Sequence, residues 1–157
     1  MTAWQDRSEI PAAYLNPGLL AMLVSSCARG YMQEAERAMS WPLAFLALPL
    51  VLHRPTRQAL PGNTRTHLST WLARNPLIRA EFPERARSLA PFVREGLRFG
   101  VRERVLILED RGLRGEEIPL GRSGDIQPLI RSANLVGRWL AKTGQSSTTF
   151  ALLGVTP

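Results

Sequence analysis

Between Trp41 and Leu52 the chain runs twelve residues without a charged or hydrogen-bonding aliphatic side chain, WPLAFLALPLVL. A helix that crosses a bilayer needs about 20 such residues, and Pro49 interrupts this run near its end. A segment that is apolar on every side and too short to span has to be wrapped by the rest of the chain. It therefore predicts a central core helix from Pro42 to about Leu52, capped by Ser40 or Trp41 and bent at Pro49. His53, Arg54, Pro55 and Thr56 should end it, because a residue preceding proline avoids the helical region.

The flanking segments supply the wrapping. Asn16-Pro17-Gly18 reads as a helix start, with Asn as cap and Pro in the first turn. Leu19, Leu20, Leu23, Val24 and Cys27 follow at helical spacing, and Gly30 is the expected stop. Leu60-Pro61-Gly62-Asn63 predicts a turn, then a helix over 64–73 with His67, Leu68, Trp71 and Leu72 on one side. Asn75-Pro76 restarts the chain as a short helical piece. Phe82-Pro83 opens a longer helix to Phe99 whose apolar side is Ala86, Leu89, Ala90, Val93 and Leu97, kinked at Pro91 and stopped at Gly100.

The period then changes. Arg102–Leu108 (RERVLIL) and Glu116–Leu120 (EEIPL) predict two strands, with EDRGLRG as the turn of a β-hairpin near 102–120. Asp125 should cap a final long helix, roughly Ile126 to Lys142, ended by Gly144. The apolar tail SSTTFALLGVTP predicts a short element packed on the body. The fold class is thus mainly α with a small β-hairpin: an N-terminal arm over 1–15 and a single helical domain over 16–157. Helices followed by a hairpin between Pro42 and Leu120 also match the order of a winged helix, which is the α+β alternative.

The length of 157 residues suffices for one domain with a sizeable core. A lone cysteine, Cys27, permits no internal disulfide and fits a reducing cytoplasm. The N-terminus shows no basic region followed by an apolar one, so no secretory signal is expected. Arg111-Gly112-Leu113-Arg114-Gly115 lacks the Lys-Ser/Thr ending of a phosphate loop. The two histidines, His53 and His67, and Cys27 fall on different elements, which argues against a zinc site. Cys27 lies on an apolar helix face, where cysteine behaves as a buried hydrophobe. Adjacent strand residues point to opposite faces, so Glu116 and Glu117 cannot act together on one atom. No catalytic residue, metal or cofactor is expected, and the chain is not expected to be an enzyme.

Charge is the one feature that stands out. The net charge is +7. Residues 51–100 hold nine of the bases against three acids, while residues 1–50 hold three bases and four acids. All bases but Lys142 are arginine, whose planar fork suits phosphate and carboxylate. Arg54, Arg57 and Arg65 flank one turn and Arg74 and Arg79 the next. Arg85, Arg87, Arg94 and Arg98 lie on the long helix, where spacings of seven and four put Arg87, Arg94 and Arg98 on one face. Two readings stand side by side: a solvated surface with local pairs to Glu84 and Glu95, or a contact surface for phosphates or an acidic protein. The candidate contacts are Arg54, Arg57, Arg65, Arg85, Arg87, Arg94 and Arg98. Trp4, Trp41, Trp71 and Trp139 could stack on bases, but three of them sit on apolar helical faces and read as core.

Several blocks occur together and in order: NPGLLAMLVSSCARGY, WPLAFLALPLVLHRPTRQALP, THLSTWLARNP, ERARSLAPFVREGLRFG, and ANLVGRWLAKTG followed by TTFALLGVTP. Together they resemble the middle component of three-component ABC systems, which pair an SMC-like ABC ATPase, a small middle protein and an effector, and to which Lamassu-type defence against phage and plasmids is related. The resemblance runs from about Asn16 to Pro157; residues 101–124 contribute nothing distinctive. It carries no catalytic residues. It implies a non-catalytic accessory subunit that bridges an SMC-like ABC ATPase and an effector such as a nuclease, with double-stranded DNA as a further candidate partner and no role for a membrane. The alternative is a stand-alone winged-helix DNA-binding transcription regulator.

Overall fold

A computed structural model describes residues 12–110, 112–117 and 126–156. Residues 1–11 of the arm expected over 1–15, with Trp4, the Asp125 cap and the end of the expected second strand (118–120), lie outside them; the rest of that arm is a 3-10 helix, Ala12–Leu15.

The long apolar run forms the centre, as its composition requires. A 3-10 turn over Trp41–Leu43 leads into helix α2 (Ala44–Leu52), in which Leu46, Leu48, Leu50, Val51 and Leu52 are all buried. Around it pack α1 (Pro17–Ala35), α5 (Pro76–Arg102) and α6 (Gln127–Lys142). Two short helices, α3 (Arg54–Ala59) and α4 (Leu68–Arg74), fill the stretch between α2 and α5. The tail forms α7 (Ser146–Leu153), which buries Thr149, Phe150 and Leu153. The protein is mainly helical with one small antiparallel sheet.

α1 starts where the sequence places it. The Asn16 side chain accepts from the backbone N–H of Gly18 at 2.8 Å and of Leu19 at 3.3 Å, satisfying two donors that the first turn leaves open. It does not stop at Gly30 but continues to Ala35 and ends on Glu36, in left-handed geometry at φ 57°. Gly30 serves a different purpose. A side-chain carbon there would collide with the backbone carbonyl of Asn134, and one at Gly137 would collide with that of Cys27. The two glycines let the backbones of α1 and α6 touch, and this seam is the most extensive helix contact in the protein. Ser26 Oγ strengthens it by donating to the Ile130 carbonyl at 2.8 Å.

The sheet has three strands in the order β1-β3-β2: β1 (Met39–Ser40), β2 (Leu106–Glu109) and β3 (Gly112–Gly115). The expected hairpin is present, but its second strand lies earlier than expected. Glu109 pairs with Gly112, so the turn begins at Asp110, at φ 51°, a conformation that Asp tolerates. GLRG, expected as the turn, is β3 itself. Glycine at 115 is needed because a side chain there would meet the Ser25 backbone of α1. Glu116 follows the strand, donating to the Val105 carbonyl at 3.0 Å and accepting from Ser25 Oγ at 2.7 Å.

Two further expectations change. His53 to Thr56 does end α2, but the chain restarts at once as α3. α5 is one helix where two pieces were expected, running through Pro83, Pro91 and Gly100. Each proline removes one backbone donor, and Pro91 lies on the exposed side, where water can take the released carbonyl. Helices and then a hairpin do follow α2, with α3 as one helix more than the three-helix winged order. The helix preceding the hairpin buries Phe82, Ala86, Leu89 and Val93 in the core.

Candidate interaction surface

Each reactive side chain sits in its own setting. Cys27 is buried in α1 with its thiol 3.7 Å from Met39 Sδ; burial pushes its pKa from 9.0 up to about 12. A thiol so placed is neither ionised nor accessible at neutral pH. His53 is buried, and its Nδ1 lies 2.6 Å from Thr56 Oγ1 and accepts from the Thr56 N–H at 3.4 Å. It is the N-cap of α3. His67 is exposed and caps α4 in the same way, accepting from the Ser69 N–H at 3.2 Å. Among the described residues, no group of three or more His, Cys, Asp or Glu could hold a metal ion. No helix among them is long and apolar enough to cross a membrane.

Two tryptophans are core. Trp71 and Trp139 meet edge to face with centroids 5.2 Å apart. Their indole N–H groups donate to the carbonyls of Ala59 at 2.7 Å and Thr66 at 2.6 Å, as a buried indole requires. Trp41 is 44% exposed and packs edge-on against Phe45, so it is the exception to the expected core placement.

The candidate arginines separate into two groups. Arg57 and Arg85 are tied into the fold, Arg57 half-buried and Arg85 buried. The Arg57 guanidinium donates to the last carbonyls of α2, Val51 at 2.7 Å and Leu52 at 3.4 Å. Burial lowers its pKa, Tyr14 opposes that shift and Arg54 adds to it. A cation here closes open carbonyls and matches the negative end of the helix dipole. Arg85 is buried and pairs with Glu81 at 3.2 Å, while its Nη1 has no partner. Both side chains are thus engaged within the fold, where the sequence expectation has them as partner or DNA contacts.

Arg54, Arg65, Arg87, Arg94 and Arg98 are exposed. Arg98 pairs with Glu95 at 3.0 Å, an exposed bridge of small energetic weight. Arg54, Arg65, Arg87 and Arg94 form no ion pair among the described residues. Arg87 and Arg94 stand two turns apart on the solvent side of α5, with Pro91 between them. Arg54 begins α3, and Arg65 lies in the loop before α4, where it lines a cleft with Lys142. The exposed candidates therefore lie on three separate elements. The sequence gives no sign of Lys142 as a candidate, because its neighbour in the cleft, Arg65, is remote in the chain.

Exposed apolar side chains add a second kind of surface. Val101, Ile107 and Leu108, at the junction of α5 and β2, are 44%, 37% and 55% exposed, and Leu77 at the start of α5 is 68% exposed. A cleft of about 510 Å³ lies among the hairpin turn, the end of α1 and the start of α7. There Arg37 donates to the Tyr31 hydroxyl at 3.3 Å, which raises the Arg37 pKa. Glu109 and Asp110 also line it, so its charge is mixed.

Residues 4–157 match the protein family described as ABC-three component (ABC-3C) system Middle Component 3. No curated protein matches the chain, and no solved structure does.

Proposed function

Because this chain belongs to the Middle Component 3 family of ABC-three component systems, we propose that it is a non-catalytic adaptor that bridges an SMC-like ABC ATPase and an effector in an anti-phage or anti-plasmid complex. The geometric observation that carries this reading is the solvent side of α5, where Arg87 and Arg94 form no ion pair among the described residues, on a helix whose opposite side is locked in the core. Fixed cations on a rigid helix suit an acidic protein surface or a phosphate backbone. The apolar residues Val101, Ile107 and Leu108 at its end add area that a partner could cover.

The test is co-expression with the ATPase component of the same system, followed by affinity capture. The wild type should retain the ATPase. The double variant Arg87→Glu/Arg94→Glu, with unchanged circular dichroism, should lose it. Direct contact with DNA would show as duplex binding that weakens steeply with salt, the slope falling by about one for each phosphate contact removed. A wild-type chain that stays monodisperse and never retains the ATPase would sink the adaptor reading. Sequence-specific duplex binding without any ATPase would replace it with a DNA-binding regulator.

A further inference from the structure

A second cleft, of about 180 Å³, lies between the loop before α4 and the C-terminal end of α6. Its volume is below the roughly 300–1,000 Å³ that hold an organic ligand, so it is a place for one chemical group. Two cations line it, Arg65 from the loop and Lys142 from the last turn of α6. Neither forms an ion pair among the described residues, and no described carboxylate lines the cleft.

The remaining polar lining is also rich in donors. Thr64 and Thr66 bring hydroxyls. His67 uses Nδ1 to accept the Ser69 N–H, so its neutral ring carries hydrogen on Nε2 and offers a further donor.

This loop is held more firmly than a surface connection needs. The Asn63 side chain accepts from the Arg65 N–H at 2.8 Å. The Thr66 carbonyl accepts the Trp139 indole N–H at 2.6 Å. The His67 imidazole fixes the start of α4. Three tethers within five residues leave little freedom for ligand binding to remove, which is how affinity survives in a small site. The tether to Trp139 also fixes the loop relative to α6, and so Arg65 relative to Lys142.

From this arrangement we propose that the cleft binds a phosphate group. Several donors from separate elements suit an oxyanion with acceptor oxygens on all sides better than a planar carboxylate. The source is either a free nucleotide or the backbone of a nucleic acid. This site is separate from the α5 surface, and its failure leaves the adaptor reading intact.

The experiment is a ¹H–¹⁵N NMR titration of the full chain at constant ionic strength with inorganic phosphate, then 5′-AMP, then a 12-base-pair duplex, with acetate as the control anion. Saturable shifts at residues 64–67 and 142–143 are expected with at least one phosphate-bearing probe. Arg65→Ala and Lys142→Ala should each weaken that binding at least tenfold, and Arg87→Ala should leave phosphate or AMP binding unchanged. Both pocket substitutions are at exposed positions, so loss of fold is not expected to obscure the result. Saturation by AMP below millimolar concentration identifies a nucleotide source; shifts with the duplex alone identify a nucleic-acid backbone. Shifts no larger than those with acetate, or binding indifferent to both substitutions, overturn the proposal.

Discussion

The seam between α1 and α6 and the solvent side of α5 handle polar groups in opposite ways. At the seam, backbone meets backbone through Gly30 and Gly137, and the polar side chain in contact, Ser26, has its partner. On α5, Arg87 and Arg94 are exposed and form no ion pair among the described residues, separated by an exposed proline. Closed hydrogen bonding marks what holds the fold; open charge marks what is left for something else. The difference should appear in stability and binding, because interior positions tolerate little change and exposed ones much.

The strongest way to break the comparison is at Gly137. A valine there drives methyl groups into the Cys27 carbonyl. Overpacking commonly costs 1–3 kcal/mol and sometimes more; here the obstacle is backbone that cannot rotate away. Gly137→Val is expected to lose about 3 kcal/mol or more, or to yield no soluble protein. Urea denaturation measures it, and a loss below about 1 kcal/mol would mean the seam can open.

The misread features share a cause. The core helix, α6 and the Asn16 cap were legible because periodicity and capping are local. Gly30, Gly100 and the glycines of β3 look like stops or turns, since a glycine needed for close approach is the same in sequence as one that ends an element. Met39–Ser40 is too short to show alternation. α3 was missed because its cap is His53, which is not among the usual capping residues. The split among the arginines was not legible at all. Arg57 and Arg65 differ only in what the fold brings to them, the end of α2 for one and Lys142 for the other.

Trp139 on α6 links the interior to the second cleft, since its ring is core and its N–H holds the loop that carries Arg65. Trp139→Phe keeps most of the apolar volume and leaves the Thr66 carbonyl without its donor. The cost should be about 1–3 kcal/mol. Heteronuclear relaxation should show residues 63–67 becoming more mobile on the ps–ns timescale. Loss of stability with the loop still rigid would mean that other tethers suffice.

Cys27 sharpens the interior side through pH. Its thiol pKa is about 12 in the fold against 9.0 for an exposed cysteine. The folded state therefore keeps a proton that the unfolded chain gives up. Its contribution is complete below pH 9, declines as pH rises beyond that, and is gone by about pH 12. The slope can reach about 1.4 kcal/mol per pH unit. Denaturation of the wild type and Cys27→Ala at pH 7, 9 and 10 isolates it: the variant should lose less stability between pH 9 and 10. In the native state at pH 8, a thiol reagent should label Cys27 only through unfolding. Rapid labelling would show the seam to be open.

The smallest effects test whether charge alone predicts role. Arg54 and Arg57 are three residues apart on α3, yet only Arg57 reaches the carbonyls of Val51 and Leu52. Arg57→Leu removes a cation from the end of α2 and leaves those carbonyls open, at about 1–2 kcal/mol. Arg54→Leu removes an exposed charge and should stay within about 0.5 kcal/mol. The binding assay should rank them differently. At urea concentrations where both variants remain folded, any loss of partner affinity should follow Arg54 and the α5 pair, Arg87 and Arg94, while Arg57→Leu binds normally. If Arg57→Leu loses binding while folded, the division between structural and exposed arginines fails. The cap would then also have to be part of the contact, and α3 as a whole would belong to the interaction surface.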